Sequence, residues 1–272
     1  MPIDFRTRDF SVILPESFGI CPNNRINIVK KAVVERLKGV YNIDWFEETG
    51  ARHQIEFSII KNKVNLLIDT TGAGLHKRGY RPGANDAPLK ETLAAAMCSL
   101  SRLRPYHTLY DPMCGSGTIL IEGAMLANNI APGINRNFDV DRWGFVPESV
   151  WMSERERCHD LIKTDTDFVA FGSDIDPHAI ELTEKNARNI KVDKFIRASV
   201  CDVAKFNPTT EKGTLITNPP YGERMLDIRT AEKLYRVMGD KFVRRHGWSY
   251  GIISPDEEFE KCFGRKADNA HE

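Results

Sequence analysis

Long apolar runs are missing from this chain: no stretch of its 272 residues approaches the ~18 uninterrupted apolar positions that a membrane-spanning helix needs. Paired cysteines are missing too. Cys21, Cys98, Cys114, Cys158, Cys201 and Cys262 lie scattered with no C-x-x-C pair, which excludes a disulfide scaffold or zinc knuckle as the reading of the pattern. Cys158-His159 comes closest to a metal pair, and no third ligand lies nearby, so no metal is expected. There is no net charge either, with 38 Lys+Arg against 38 Asp+Glu, and no low-complexity tract. With 41% hydrophobic residues, the composition excludes a disordered tail or a fibrous repeat and leaves room for a real core. The first ten residues carry Asp4, Arg6, Arg8 and Asp9 and do not read as a secretory leader. A soluble protein of the reducing cytoplasm is expected.

The zero net charge hides an asymmetry. Residues 1–82 hold 13 Lys+Arg and 9 Asp+Glu, whereas residues 83–272 hold 25 and 29. A basic N-terminal part suits phosphate contacts, and ordinary solvated surface accounts for it equally well.

Residues 1–82 predict a small α+β unit. Ile26, Val29, Val33 and Leu37 share one helix face over 25–37, with Asn23 and Asn24 as caps and Gly39 as a stop. Ile55, Phe57 and Ile59 alternate with Gln54, Glu56 and Ser58, so 54–60 and 63–70 predict two strands joined at Lys61-Asn62. Residues 75–81 then gather His76, Lys77, Arg78 and Arg81 around Tyr80. Residues 81–88 (RPGANDAP) are turn chemistry, and a domain boundary is expected after residue 82. Beyond it the pattern alternates. Strands are expected at 107–113, 168–175, 195–202, 213–220 and 248–255, with helices at 90–103, 118–129, 177–189 and 230–246. That alternation predicts an α/β fold with a doubly wound, mostly parallel, Rossmann-like sheet over 83–272.

Four segments carry chemistry. The first, DPMCGSGT at 111–118, ends a strand, turns on glycines and opens a helix. A dinucleotide fingerprint needs a third glycine where Leu120 stands, and an acidic residue ~20 positions on, where none closes a strand. No Gly-Lys-Ser/Thr follows, which excludes a P-loop. Asp111 before the turn would repel a pyrophosphate but suits a cationic group, such as the α-amino group of S-adenosylmethionine. In the second, GSDIDP at 172–177, Asp174 (with Ile175 beside it) can accept ribose hydroxyls, while Asp176 caps the following helix ahead of Pro177. In the third, Asp202 can accept from an adenine amino group, with the Val203 backbone N–H alongside.

The fourth, Asn218-Pro219-Pro220-Tyr221, follows a strand and belongs at the sheet's carboxyl edge. An exocyclic aromatic amine is a poor nucleophile because its lone pair is delocalised into the ring. The Asn218 side-chain oxygen and the Pro219 carbonyl can hold its hydrogens and favour a more tetrahedral nitrogen. The prolines stiffen the turn, and Tyr221 offers a face for an unstacked base. Catalysis is then positioning plus stabilisation of developing charge.

DPMCGSGT, GSDIDP and NPPYGER in this order resemble the class I S-adenosylmethionine-dependent methyltransferases. More narrowly, they are similar to the THUMP-containing ribosomal RNA N2-guanine methyltransferases, often labelled N6-adenine-specific DNA methylases. Residues 75–81, 88–92 and 138–143 also match segments of that family. The resemblance implies that Asp111, Met113, Cys114, Gly115, Ser116, Gly117 and Thr118 line the methionine and adenosine. It gives Asp174 and Ile175 the ribose, Asp202 and Val203 the adenine, and 218–221 the target amine. It implies a partial THUMP RNA-binding domain over 1–82, with Lys77, Arg78 and Arg81 toward RNA. Arg224 reads either as a phosphate or base contact or as a surface salt bridge. Family members carry further N-terminal sequence and a closing C-terminal hairpin, so the chain reads as a core of a longer protein. N6-adenine methylation of DNA or RNA is the alternative within the same chemistry. A non-catalytic RNA-binding factor has no need of the Asp111, Asp174 and Asn218 set.

Overall fold

The computed structural model describes residues 11–12, 22–46, 50–61, 63–81, 89–221 and 228–270. The turn at 82–88 and Arg224 therefore lie outside the described residues, as do Asn62 and the side chains of Asn23 and Asn24. The chain packs as two units, 1–74 with 137–154 and 75–136 with 155–272.

The first unit holds β1 (Ser11–Val12), α1 (Pro22–Tyr41), β2 (Gln54–Ile60) and β3 (Lys63–Asp69). Its sheet runs β1-β2-β3, with β1 parallel to β2 and β2 paired antiparallel to β3 from Gln54↔Asp69 to Ile60↔Lys63. Lys61 takes φ 50°, the left-handed conformation that a tight hairpin asks of its first loop residue. Helix α1 runs through Gly39 and stops two residues later; Asn42 at φ 52° supplies the left-handed residue that was expected of the glycine. Strand β1 was not expected, since two residues offer no alternation to read. Residues 137–154 join this unit through backbone and side-chain bonds. The Val140 N–H donates to the Thr70 carbonyl at 3.1 Å, and Trp143 Nε1–H to the Arg52 carbonyl at 2.7 Å.

The second unit is built on five parallel strands: β4 (Thr108–Asp111), β5 (Val169–Asp174), β6 (Ile196–Val200), β7 (Gly213–Thr217) and β8 (Trp248–Ile252). Their order is β6-β5-β4-β7-β8, so chain order reverses beside β4. In a doubly wound sheet the crevice outside the carboxyl ends at that reversal is where ligands bind. The helices are α2 (Glu91–Leu100), α3 (Thr118–Ala127), α4 (Glu148–Asp160, of which 148–154 belong to the first unit), α5 (Pro177–Asn189), α6 (Ile228–Lys241) and α7 (Phe259–Phe263). Helices α4 and α7 were not expected: the first has no buried residue, and the second spans barely one turn.

Alternation along the central strands divides the core. Leu109 packs with Leu120, Ile121, Phe168 and Ile216 on one face. Tyr110 packs with Leu215, Tyr235, Met238 and Phe242 on the other. All five residues of β7 are buried, as a central strand covered on both faces requires. The strands stop up to three residues short of the expected ends, at Asp111 and Thr217 for β4 and β7. The residues beyond are apolar or rigid enough to mimic strand, but they form the loops that carry the site.

Candidate active site

Four neighbouring strand ends bring together the residues picked out in the sequence. Reading across β6, β5, β4 and β7, they are Asp202, Asp174, Asp111 and Asn218. At ~4.8 Å per strand these four span roughly 14 Å along one edge. Asp111 closes β4 and Asp174 closes β5, while Asp202 lies two residues past β6 and Asn218 follows β7 directly.

The glycine turn between β4 and α3 is braced from β5 and α5. Gly115 adopts φ 52° and Gly117 φ 80°, conformations that other residues enter only with strain. The Cys114 N–H donates to the Ser173 carbonyl and the Gly115 N–H to Asp174 Oδ2, both at 2.9 Å. Thr183 Oγ1–H donates to the Gly115 carbonyl at 2.8 Å, and Asn186 Nδ2–H to the Ser116 carbonyl at 3.1 Å. A Cβ on Gly117 would come within 2.7 Å of Thr183, whereas one on Gly115 would meet open space. The turn is thus packed behind Gly117 and open in front of Gly115, as a backbone cradle for a ligand must be. Thr183 and Asn186 were missed in the sequence; their signal is polarity on the face of α5 that also buries Ile180 and Ala187.

Asp111 is the electrostatic centre of this edge. Its side chain is 2% exposed, and Oδ1 accepts from Thr217 Oγ1–H at 2.8 Å and from the Met113 N–H at 3.3 Å. Burial pushes its carboxyl up to about 7; the two hydrogen bonds hold it down in part, and the nearby Asp174 charge adds to the rise. Such a group gains most from a cation placed against it. That fits the ammonium of an amino-acid-bearing ligand and disfavours a pyrophosphate. Asp174 uses Oδ1 on the Asp176 N–H at 3.0 Å, so it organises the start of α5 as well as the glycine turn. Asp176 caps α5 through the His178 N–H at 2.9 Å, as expected. Asp202 caps the short turn 203–205 by accepting from the Ala204 N–H at 2.8 Å. Pro219 is buried, and Asn218, Pro220 and Tyr221 are partly exposed. Among the described residues no His, Cys, Asp and Glu cluster suited to a metal is present.

The structure gives several of the expected contact residues other surroundings than an open surface. Arg78 and Arg81 do not face solvent for RNA. Arg78 is 8% exposed, lies 3.6 Å from Glu122 and donates to the Leu75 carbonyl at 2.7 Å. Arg81 pairs with Glu91 at 2.7 Å and also donates to Thr118 Oγ1 at 3.3 Å. The reason is that Glu91 and Glu122 are themselves buried and need cations, and Tyr80 Oη–H is a second partner of Glu122 at 3.1 Å. Lys77 stays exposed. The Cys114 thiol packs beside Gly172, and burial raises its pKa. Thr118 and Val203 are likewise buried, and Ile175 is 70% exposed.

Residues 78–272 match the family described as UPF0020, RMKL-like, methyltransferase domain. A ribosomal RNA large subunit methyltransferase K/L from Shewanella pealeana is 38% identical over 247 residues, covering 88% of this chain and 35% of that protein. A Bacillus subtilis relative, YpsC, is 40% identical over 243 residues, and the chain spans 63% of its length. The chain therefore covers less than two thirds of these curated relatives. A crystal structure from Listeria monocytogenes, described as a predicted N6-adenine-specific DNA methylase, superposes with a TM-score of 0.89 at 40% identity, covering 98% of this chain and 70% of that one. SMU.472, solved in complex with SAH, superposes at 0.85 and 37% identity, covering 96% and 70%.

Proposed function

Since the chain belongs to the RMKL-like methyltransferase domain family, we propose that it methylates an exocyclic nucleobase amine, namely N2 of guanine in large-subunit ribosomal RNA, with S-adenosylmethionine as donor. The observation that carries this reading is the order of groups along one sheet edge, Asp202, Asp174, Asp111 and Asn218. That order matches adenine, ribose, amino-acid ammonium and target amine in succession. The named relative from Shewanella and the SAH complex of SMU.472 support it.

The donor supplies an electrophilic methyl on a sulfonium, which leaves as a thioether when the target nitrogen takes the methyl. The protein's task is placement. Asp111 holds the ammonium and Asp174 the ribose hydroxyls, with Ile175 beside them; Asp202 and the Val203 backbone hold the adenine. The turn from Met113 through Cys114, Gly115, Ser116 and Gly117 to Thr118 borders the cofactor with backbone groups. Asn218 and the Pro219 carbonyl accept the two amine hydrogens, Pro220 keeps the turn rigid, and Tyr221 stacks on the base. The nitrogen gives up one proton to solvent once the N–C bond has formed. Lys77, exposed, and Arg224 are the cations assigned to RNA, and residues 1–82 to a partial THUMP domain.

The second reading, N6 of adenine, is favoured by the description of the Listeria structure. Both are tested by offering labelled S-adenosylmethionine with ribosomal RNA lacking the modification and, separately, with duplex DNA, then digesting to nucleosides. Label in N2-methylguanosine from RNA is expected. Label in N6-methyladenine transfers the target to the second reading, and absence of label from both refutes the assignment.

A further inference from the structure

Thr217 has no part in the sequence-derived site, yet its side chain is fully buried at 0% exposure and its hydroxyl donates to Asp111 Oδ1 at 2.8 Å. It is also the residue immediately before Asn218. The bond crosses from β7 to β4, the strand pair at which the sheet order reverses. A hydroxyl in a fully buried strand calls for a partner, and here that partner is a carboxylate that has no cation against it among the described residues.

We propose that Thr217 is a positioning residue: its hydroxyl aims the Asp111 carboxylate at the cofactor ammonium and ties it to the strand end that presents Asn218. The inference rests on the methyltransferase reading above. Among the described residues both hydrogen bonds to the Asp111 side chain land on Oδ1, one from Thr217 and one from the Met113 N–H. This orients the group and leaves Oδ2 for the ligand. Asp174 from β5 opposes the charged form of Asp111, and the Cys114 and Cys98 thiols, from the glycine turn and α2, also sense its charge. Of the described side chains around it, Thr217 is the donor that favours the ionised state. Losing that donor should move ionisation of Asp111 upward in pH and weaken cofactor binding where the carboxyl is protonated.

The test is calorimetric binding of S-adenosylhomocysteine to the full chain between pH 6 and pH 8.5. It is read as the ratio of variant to wild-type Kd at each pH, so that the ligand's own titration cancels. Thr217→Val is expected to weaken binding on the order of 10-fold at pH 6–7, with the ratio falling toward one by pH 8.5. Thr217→Ser, which keeps the donor, is expected to stay within about 2-fold throughout. Asp111→Asn should give a ratio that grows with pH. A pH-independent ratio for Thr217→Val, or a serine variant no better than valine, overturns the proposal. Should the valine variant fail to fold, a ratio for Asp111→Asn that does not change with pH also overturns it. A wild-type protein that binds no cofactor overturns the methyltransferase reading itself, whereas wild-type binding with unchanged variants overturns this inference alone.

Discussion

Replacing Arg81 with methionine leaves the Glu91 carboxylate, whose side chain is 5% exposed, without the guanidinium that sits 2.7 Å away. Removing one partner of a buried pair costs about 3–5 kcal/mol, because the remaining charge keeps its desolvation penalty. The further bonds from Arg81 to Thr118 Oγ1 and the Leu89 carbonyl are both 3.3 Å and add little. For a domain of this size about 2–4 °C of Tm goes with each kcal/mol, so thermal unfolding should begin roughly 6–20 °C lower. Arg81→Met with Glu91→Leu removes both charges and should recover most of the loss, since an apolar pair of similar volume is neutral or better. Thermal and urea unfolding of wild type, both singles and the double variant give the coupling directly. A loss below about 1 kcal/mol in Arg81→Met, or no rescue by Glu91→Leu, would refute the structural assignment and return Arg81 to RNA contact.

Asn218→Ala should leave cofactor Kd nearly unchanged and lower kcat on the order of 10²-fold, measured in single-turnover methyl transfer; equal loss of cofactor binding would assign it another role. Asp174→Ala should do the reverse, raising cofactor Kd about 10- to 100-fold through loss of charge-assisted bonds, with a smaller effect at saturation. The pH dependence of stability has a definite sign. Asp111 titrates near 3.8 when unfolded and at about 7 in the fold, so the folded chain holds a proton that the unfolded chain releases between those values. Its contribution is therefore fully present below pH 4 and is lost as pH rises through 7, on the order of 4 kcal/mol. Urea titrations of ligand-free wild type and Asp111→Asn should show that slope in the first and not in the second.

The candidate site's edge was legible because its residues are sequence neighbours of strand ends. Asp111, Asp174 and Asn218 each close or follow an apolar run, and period and turn chemistry locate such ends within a few residues. What was not legible depends on contacts distant in the chain. Nothing near Arg81 announces Glu91, ten residues on, as its partner, and nothing near Arg78 announces Glu122, so a basic cluster read as surface. The span 137–154 carries no strand pattern, and its place in the first unit follows from bonds to Thr70 and Arg52 that only the fold creates. Thr183, Asn186 and Thr217 were passed over for a related reason. Each is a small polar residue on an otherwise apolar face, which a periodicity count discards as noise.

Those three residues share one physical logic. Each buried hydroxyl or amide spends its hydrogen bond on the glycine turn or the carboxylate of the proposed cofactor site: Thr183 on Gly115, Asn186 on Ser116, Thr217 on Asp111. An apolar residue at any of these positions would pack well and, by itself, stabilise the core. It would also leave the Gly115 or Ser116 carbonyl, or the buried Asp111 carboxylate, without that donor. The same tension appears at Asp111, whose burial destabilises the ligand-free fold at neutral pH in exchange for a carboxylate that a cation relieves. A site arranged this way is least stable when empty and gains most when a positively charged ligand arrives, which ties the stability of the sheet's carboxyl edge to occupancy.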